Sequence, residues 1–341
     1  MRLPLVRWVG RGFAFIAASA LLVVAAACGD DDSSSPTDAG IDTNIFNPPP
    51  PPPRDAAKPP EGLDTTGRLG TAQLVAEIGE NIDGPSWSAS EGVLYFTVPG
   101  NADALRKLSP DGGVTSAAFA GDAGPVYGTA SGGTNRIFVS DGTGVTMLDL
   151  PDGGGAPTST RHTGTFGLLG DIAADPKPDA SVHAYVVDVT AGRAFRFDPN
   201  DTAKEFASIF NLSDGGARAT AIAVGRIGSS TAIWVALSTD ARGTVYAFEE
   251  DSTFPARTID LQGIPPNGIA LDEQGYLYVA WAGGINVYGL GGELTGSSPG
   301  LALPAAPTSL AFGGADRKTL YVTTAAGKIY AIPAKNPGVL R

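Results

Sequence analysis

The chain has 341 residues, a formal charge of −12, two histidines and one cysteine. So acidic a chain repels phosphate backbones, which argues against nucleic acid as a partner. One cysteine excludes an internal disulfide, and the sequence holds no paired-cysteine motif, no His-Glu-x-x-His and no phosphate-cradling Gly-x-x-x-x-Gly-Lys.

Residues 1–27 read as a secretory signal. Arg2, Arg7 and Arg11 come without an acidic residue, and an apolar run from Gly12 to Ala27 ends in small residues. That run falls short of the roughly 20 residues a membrane-spanning helix needs. The lone cysteine follows at once, and an exported protein with an unpaired cysteine calls for a use of it. The segment Val24-Ala25-Ala26-Ala27-Cys28-Gly29 resembles a bacterial lipobox. The resemblance implies cleavage before Cys28 and acylation of its sulfur, with the chain held on the membrane by the acyl chains. The expected location is the bacterial cell envelope, on its periplasmic or outer-membrane face. Loss of residues 1–27 moves the formal charge to −15.

Residues 28–68 read as a disordered linker. Asp30, Asp31 and Asp32 run into three serines, six prolines occupy 48–53, and little of the stretch can bury apolar surface. The proline run stiffens into an extended helix of about 3.1 Å per residue, which suits a spacer.

From 69 to 336 the sequence repeats. Short strands rich in β-branched and aromatic residues centre on Tyr95, Phe138, Tyr185, Trp234, Tyr278 and Tyr321, at spacings of 43, 47, 49, 44 and 43. A period of this size with several strands per unit is the mark of propeller blades. Each unit opens with a short strand such as Asn267–Asp272, turns, enters the anchor strand and continues into a third. Residues 72–79 form a strand ahead of the first unit, expected to close the ring by pairing with the last blade and so remove an exposed edge. The predicted fold is all-β: a six-bladed β-propeller, preceded by a signal peptide and a Pro-rich tether, and monomeric.

Few motifs carry chemistry. Gly296-Ser297-Ser298-Pro299-Gly300 has the spacing of a serine-hydrolase elbow but lies in a polar linker, not a strand-to-helix turn. The Asp-Gly-Gly copies at 111–113, 152–154 and 214–216 lack alternating oxygen ligands and read as tight turns. His183 precedes an anchor strand and reads as structural, while His162 beside Arg161 reads as a loop residue. The informative positions open each repeat, because inner strands line the channel of a propeller. They give a ring of Asp83, Tyr127, Gly170 with Asp171 beside it, Thr220, Asn267 and Thr308, a default place for a ligand.

Three patches resemble the senescence-marker (regucalcin)/gluconolactonase family of six-bladed propellers. They are Asp83-Gly84-Pro85-Ser86-Trp87, the stretch Pro266–Gly275, and the stretch Pro307–Thr323. The resemblance implies one divalent cation, Ca²⁺ or Zn²⁺, held in the channel by a glutamate, two asparagines and an aspartate, the last helping water to open a sugar lactone. Carried over, the glutamate falls on Asp83, the asparagines on Gly170 and Thr220, and the aspartate on Asn267. The metal residues implied here are therefore Asp83 and Asn267, and the general base is missing. The reading that follows is an envelope-anchored lipoprotein whose propeller binds a ligand or partner with weak or no lactonase activity. The alternatives are a metal-dependent lactonase rearranged around Asp83, Asp171 and Asn267, and a protein-interaction scaffold that uses the propeller rim.

Overall fold

In a computed structural model, the described residues are 67–339, except 102–103, 118–127, 133–134, 152–155, 176–182, 200–205, 212–216, 228–229, 240–241, 251, 253 and 296–299. The signal peptide, Cys28 and nearly all of the linker lie outside them, as do Tyr127 and most of the Gly-x-Ser-x-Gly stretch.

Each sequence repeat is one antiparallel sheet, and the six inner strands are Asp83–Ser88, Gly128–Gly132, Leu169–Ala174, Arg218–Ile227, Gly268–Leu271 and Pro307–Gly313. They neighbour one another in chain order, and the sixth returns to the first, so the blades form a closed ring. The anchor residues sit on the second strands. Tyr95, Phe138, Tyr185, Trp234 and Tyr278 are buried, because a blade is covered by a neighbour on both faces. That is why these strands read as near-continuous apolar runs and not as strict alternation. Apolar packing accordingly falls into six clusters, one between each pair of adjacent blades.

The ring closes as expected. Strand Gln73–Glu77 pairs antiparallel with Lys328–Pro333 and becomes the outermost strand of blade 6. Blade 5 departs from the four-stranded pattern. Among the described residues its third strand, Gly284–Tyr288, is met by isolated bridges, Ile285 to Leu301 and Tyr288 to Leu294. A turn follows it at Gly289–Glu293, where the Gly289 amide donates to the Glu293 carbonyl at 2.8 Å and Gly292 stands at φ +85°.

The chain enters the ring at a buried cluster. Arg68 is 4% exposed, its guanidinium 3.2 Å over the Tyr276 ring and 3.8 Å from Asp272. Asp272 accepts from the amides of Gln274 and Tyr276, the Tyr278 hydroxyl and the Asn336 side chain. Burial pushes the Asp272 carboxyl above the usual carboxylate range, against the pull of these donors and of Arg68. The two chain ends meet here: Lys335 donates to the Arg68 carbonyl at 3.0 Å, Leu69 bridges Ala334, and Val339 donates to Leu271 at 2.9 Å. In blade 6, Pro307 pairs with Thr324 at one end and Gly313 with Thr319 at the other. Because Pro333 faces Thr319, the chain enters at the end away from the start of the inner strands.

Phe312 tests the inter-blade packing. It is fully buried, meets Tyr278 edge-on at 5.1 Å and supports Gly338. Phe312→Ala is expected to cost about 3–5 kcal/mol, read as a fall in the urea midpoint by tryptophan fluorescence.

Candidate functional site

In four of the six blades the inner strand breaks register where it starts; in blade 5 it does not, and Asn267 stands just before Gly268–Leu271 with its amide on the Ala280 carbonyl. Pairing shifts between Asp83 and Ser86, Leu169 and Ile172, Ala219 and Ala221, and Pro307 and Ser309. A bulge inserts a residue that the ladder cannot pair and re-aims its side chain. In blades 4 and 6 the inserted residues are Thr220 and Thr308, and in blade 3 they are Gly170 and Asp171.

These residues line one cavity of about 310 Å³, with Asp83, Gly170, Asp171, Thr220, Asn267 and Thr308 on its wall. Five of the six positions picked from the sequence thus come together with Gly170; the sixth, Tyr127, lies outside the described residues. Val189 and Ser309 also line the cavity and were not foreseen. Ser309 follows Thr308 in the bulge. Val189 comes from the loop after the second strand of blade 3, which the alignment of repeat openings does not sample.

Several of these polar groups stitch blade to blade. Thr129 donates to the Gly84 carbonyl at 2.6 Å, and Ser140 donates to the Gly170 carbonyl. Asp171 Oδ2 accepts from the Ile222 amide at 2.9 Å, Asn267 Nδ2 donates to the Pro307 carbonyl at 2.9 Å, and Thr308 donates to the Ile82 carbonyl at 2.7 Å. Within its own blade, Asp83 Oδ1 accepts from the Gly84 amide at 2.8 Å and Thr220 donates to the Ala236 carbonyl at 3.4 Å.

Val189 is set by an adjacent carboxylate. Asp188 accepts from the amides of Gly167, Leu168, Thr190 and Ala191 and from the Thr190 hydroxyl, which fixes the turn that turns Val189 inward. Burial works to raise the Asp188 carboxyl, but these hydrogen bonds outweigh it and hold the carboxyl below its usual range. Val189 in turn closes off position 170. A Cβ on Gly170 would lie 2.5 Å from Val189 Cγ2, so no side chain fits there while Val189 stays.

The donor set is thin for a divalent cation. Calcium takes six to eight oxygens, and magnesium is held by one or two carboxylates with several waters. Here position 170 offers none, Thr220 offers a hydroxyl engaged with its own blade, and Asn267 is neutral. Among the described residues no group of three or more His, Cys, Asp or Glu side chains converges. The described residues do not supply the glutamate, two asparagines and aspartate that the resemblance implies. Other sequence candidates lie elsewhere. His162 sits on strand Thr158–Thr163, not in a loop, its ring 4.9 Å from Phe197, and His183 lies 3.4 Å from Asp198. Asp111 to Gly113 form a tight turn, with Gly112 at φ +86°.

Two expectations follow. Gly170→Asn is expected to cost about 1–3 kcal/mol by overpacking against Val189, and Val189→Ala in the same chain to recover most of it, measured by urea unfolding. For Asp188 the native state binds a proton more weakly than the unfolded chain. Its stabilisation is therefore present above the unfolded value of about 3.9 and lost as pH falls through the lower native value. Asp188→Asn should flatten the acid limb of stability against pH below about pH 4.

Comparison with known proteins gives the same architecture. The gluconolactonase XC5397 of Xanthomonas campestris aligns with a TM-score of 0.62 at 15% identity, over 78% of this chain and 91% of its own. A calcium-binding protein, regucalcin, from Agrobacterium tumefaciens aligns with a TM-score of 0.57 at 16% identity, over 80% and 98%. A luciferin-regenerating enzyme aligns with a TM-score of 0.59 at 20% identity, over 80% and 98%. At such identities the likeness shows the fold alone. Among curated proteins none matches the sequence. The family described as SMP-30/Gluconolactonase/LRE-like region matches residues 82–326, well over half of the sequence, and the chain belongs to that family.

Proposed function

We propose that this protein is a lipid-anchored member of the family, located in the bacterial cell envelope, whose central pocket binds a ligand or partner with weak or no lactonase activity. The observation that carries the reading is the filling of position 170 by Val189, beside an amide at Asn267 where the family's chemistry calls for an acid. Asn267 cannot take a proton at neutral pH, and loss of a positioned general base typically removes about 10²- to 10⁴-fold in rate. The pocket itself persists, at a size suited to a small ligand. The anchor rests on the sequence alone: a basic start, a short apolar run and the lone Cys28.

A second reading, a divalent-metal lactonase with a rearranged site, is favoured by one observation: Asp83, Asp171 and Asn267 share the same pocket. One experiment separates the two. The full chain, purified in detergent, is assayed for gluconolactone hydrolysis with Ca²⁺, Zn²⁺ or chelator. The expected rate is at or little above that of buffer alone in all three, and robust hydrolysis that chelation abolishes would establish the lactonase. For the anchor, Cys28→Ala is expected to abolish incorporation of labelled fatty acid and move the protein out of the membrane fraction. Retention of the label would refute acylation at that residue.

A further inference from the structure

The segment that closes the ring is weakly held. Of residues 67–81, Arg68 alone is buried, and Leu74 is half exposed. Its apolar side chains are only partly covered: Leu69 and Ala72 pack on one inter-blade cluster, and Val75, Ala76 and Ile78 on another. Its ladder with Lys328–Pro333 is interrupted by a register shift between Leu74 and Ala76. Few buried apolar contacts mark a segment that opens at a lower free energy than the whole fold.

Blades 6 and 1 also meet without it. Strands Pro307–Gly313 and Asp83–Ser88 are in direct contact. Trp87 stacks on Tyr321 at 5.6 Å with the planes 5° apart, and Thr308 donates to the Ile82 carbonyl at 2.7 Å. None of these contacts involves residues 68–79.

The hold at the point of entry is Arg68. Its guanidinium lies 3.2 Å over the Tyr276 ring, and the Asp272 carboxylate stands 3.8 Å away, beyond a close hydrogen bond. Closing takes a cation out of water and returns a stacked contact, whereas opening restores its hydration. Arg68 is also the first buried residue among the described ones, so a pull on the preceding linker reaches it before the rest of the ring. The segment covers a crevice as well. Val75 and Ala331 line a cavity of about 70 Å³ with Trp87, Leu94, Leu108 and Tyr321. Lifting the segment takes Val75 out of that wall.

We propose that residues 68–79 form a releasable strap, with Arg68 as its latch, which lifts while the ring stays folded and uncovers the crevice beside Trp87 and Tyr321. The device is independent of what the central pocket binds.

The test is native-state hydrogen exchange of the full chain in detergent, read by mass spectrometry at low urea. Peptides covering 68–79 are expected to exchange faster than the inner strands, through an opening that urea leaves almost unchanged. Arg68→Ala should speed exchange across 68–79 by roughly tenfold or more and leave Leu169–Ala174 and Arg218–Ile227 as they were. Arg68→Lys, which keeps the charge but lacks the flat stacking face, should behave like Arg68→Ala. Hydroxyl-radical footprinting of both variants should show more labelling of Trp87 and Tyr321, with the fully buried Trp234 unchanged. Exchange of 68–79 at the rate and urea dependence of the inner strands would overturn the proposal. So would indifference to Arg68→Ala, equal loss of protection throughout the chain, or unchanged labelling at Trp87 and Tyr321. Full protection in Arg68→Lys would overturn the stacked latch. Failure of Arg68→Ala to fold, read by circular dichroism, counts against the proposal too, because the ring must outlast the strap.

Discussion

No sheet in this protein has a face it can afford to expose. Each blade is apolar on both sides, and among the described residues the core falls into six clusters between adjacent blades. A row of such sheets has two raw ends, and only closing the row into a ring covers both. The closing strand Gln73–Glu77 joins the first residues of the ring to the last blade, so the chain's start and finish support the same sheet. The Arg68 cluster reinforces that junction with a buried charge stacked on Tyr276. Arginine suits the place, since its flat guanidinium stacks on an aromatic face.

The same closure brings the site together. The cavity is lined by residues at the openings of the inner strands, and the ring makes them converge. Several of the polar groups at the centre do two jobs. Asp171, Asn267 and Thr308 each hold a backbone group of a neighbouring blade while also lining the cavity. The chemistry of the pocket and the cohesion of the ring are thus coupled. A substitution there that keeps the stitch changes the ligand, and one that breaks the stitch changes the fold.

The architecture was legible because its signals are local and repeated. Six aromatic or β-branched anchors at intervals in the forties needed no long-range knowledge, and the unpaired strand at 72–79 pointed to closure through its lack of a sequence-adjacent partner. The ring positions were legible because repeats align on their openings. Val189 was not. It belongs to a loop one strand further on, and its effect on position 170 is a matter of van der Waals distance across the blade, which no spacing in the sequence encodes. Arg68 was hidden for another reason: at the end of a polar, Pro-rich stretch a single arginine looks like solvent-facing linker, and only Tyr276 and Asp272, some two hundred residues later, make it a core residue. The isolated bridges on the third strand of blade 5 were equally silent, because Gly289–Glu293 reads as an ordinary turn whether a strand or isolated bridges follow.

The point where the chain enters has a geometric consequence. Leu69 meets Ala334 at the end of blade 6 remote from Asp83 and Thr308, and the last residues of the chain gather on that same side. The cavity residues therefore stand at the opening end of the inner strands, and Leu69 and residues 334–339 at their far end. If that far side were brought up against a surface, the cavity residues would face away from it, and a solute could reach them without passing beneath the protein.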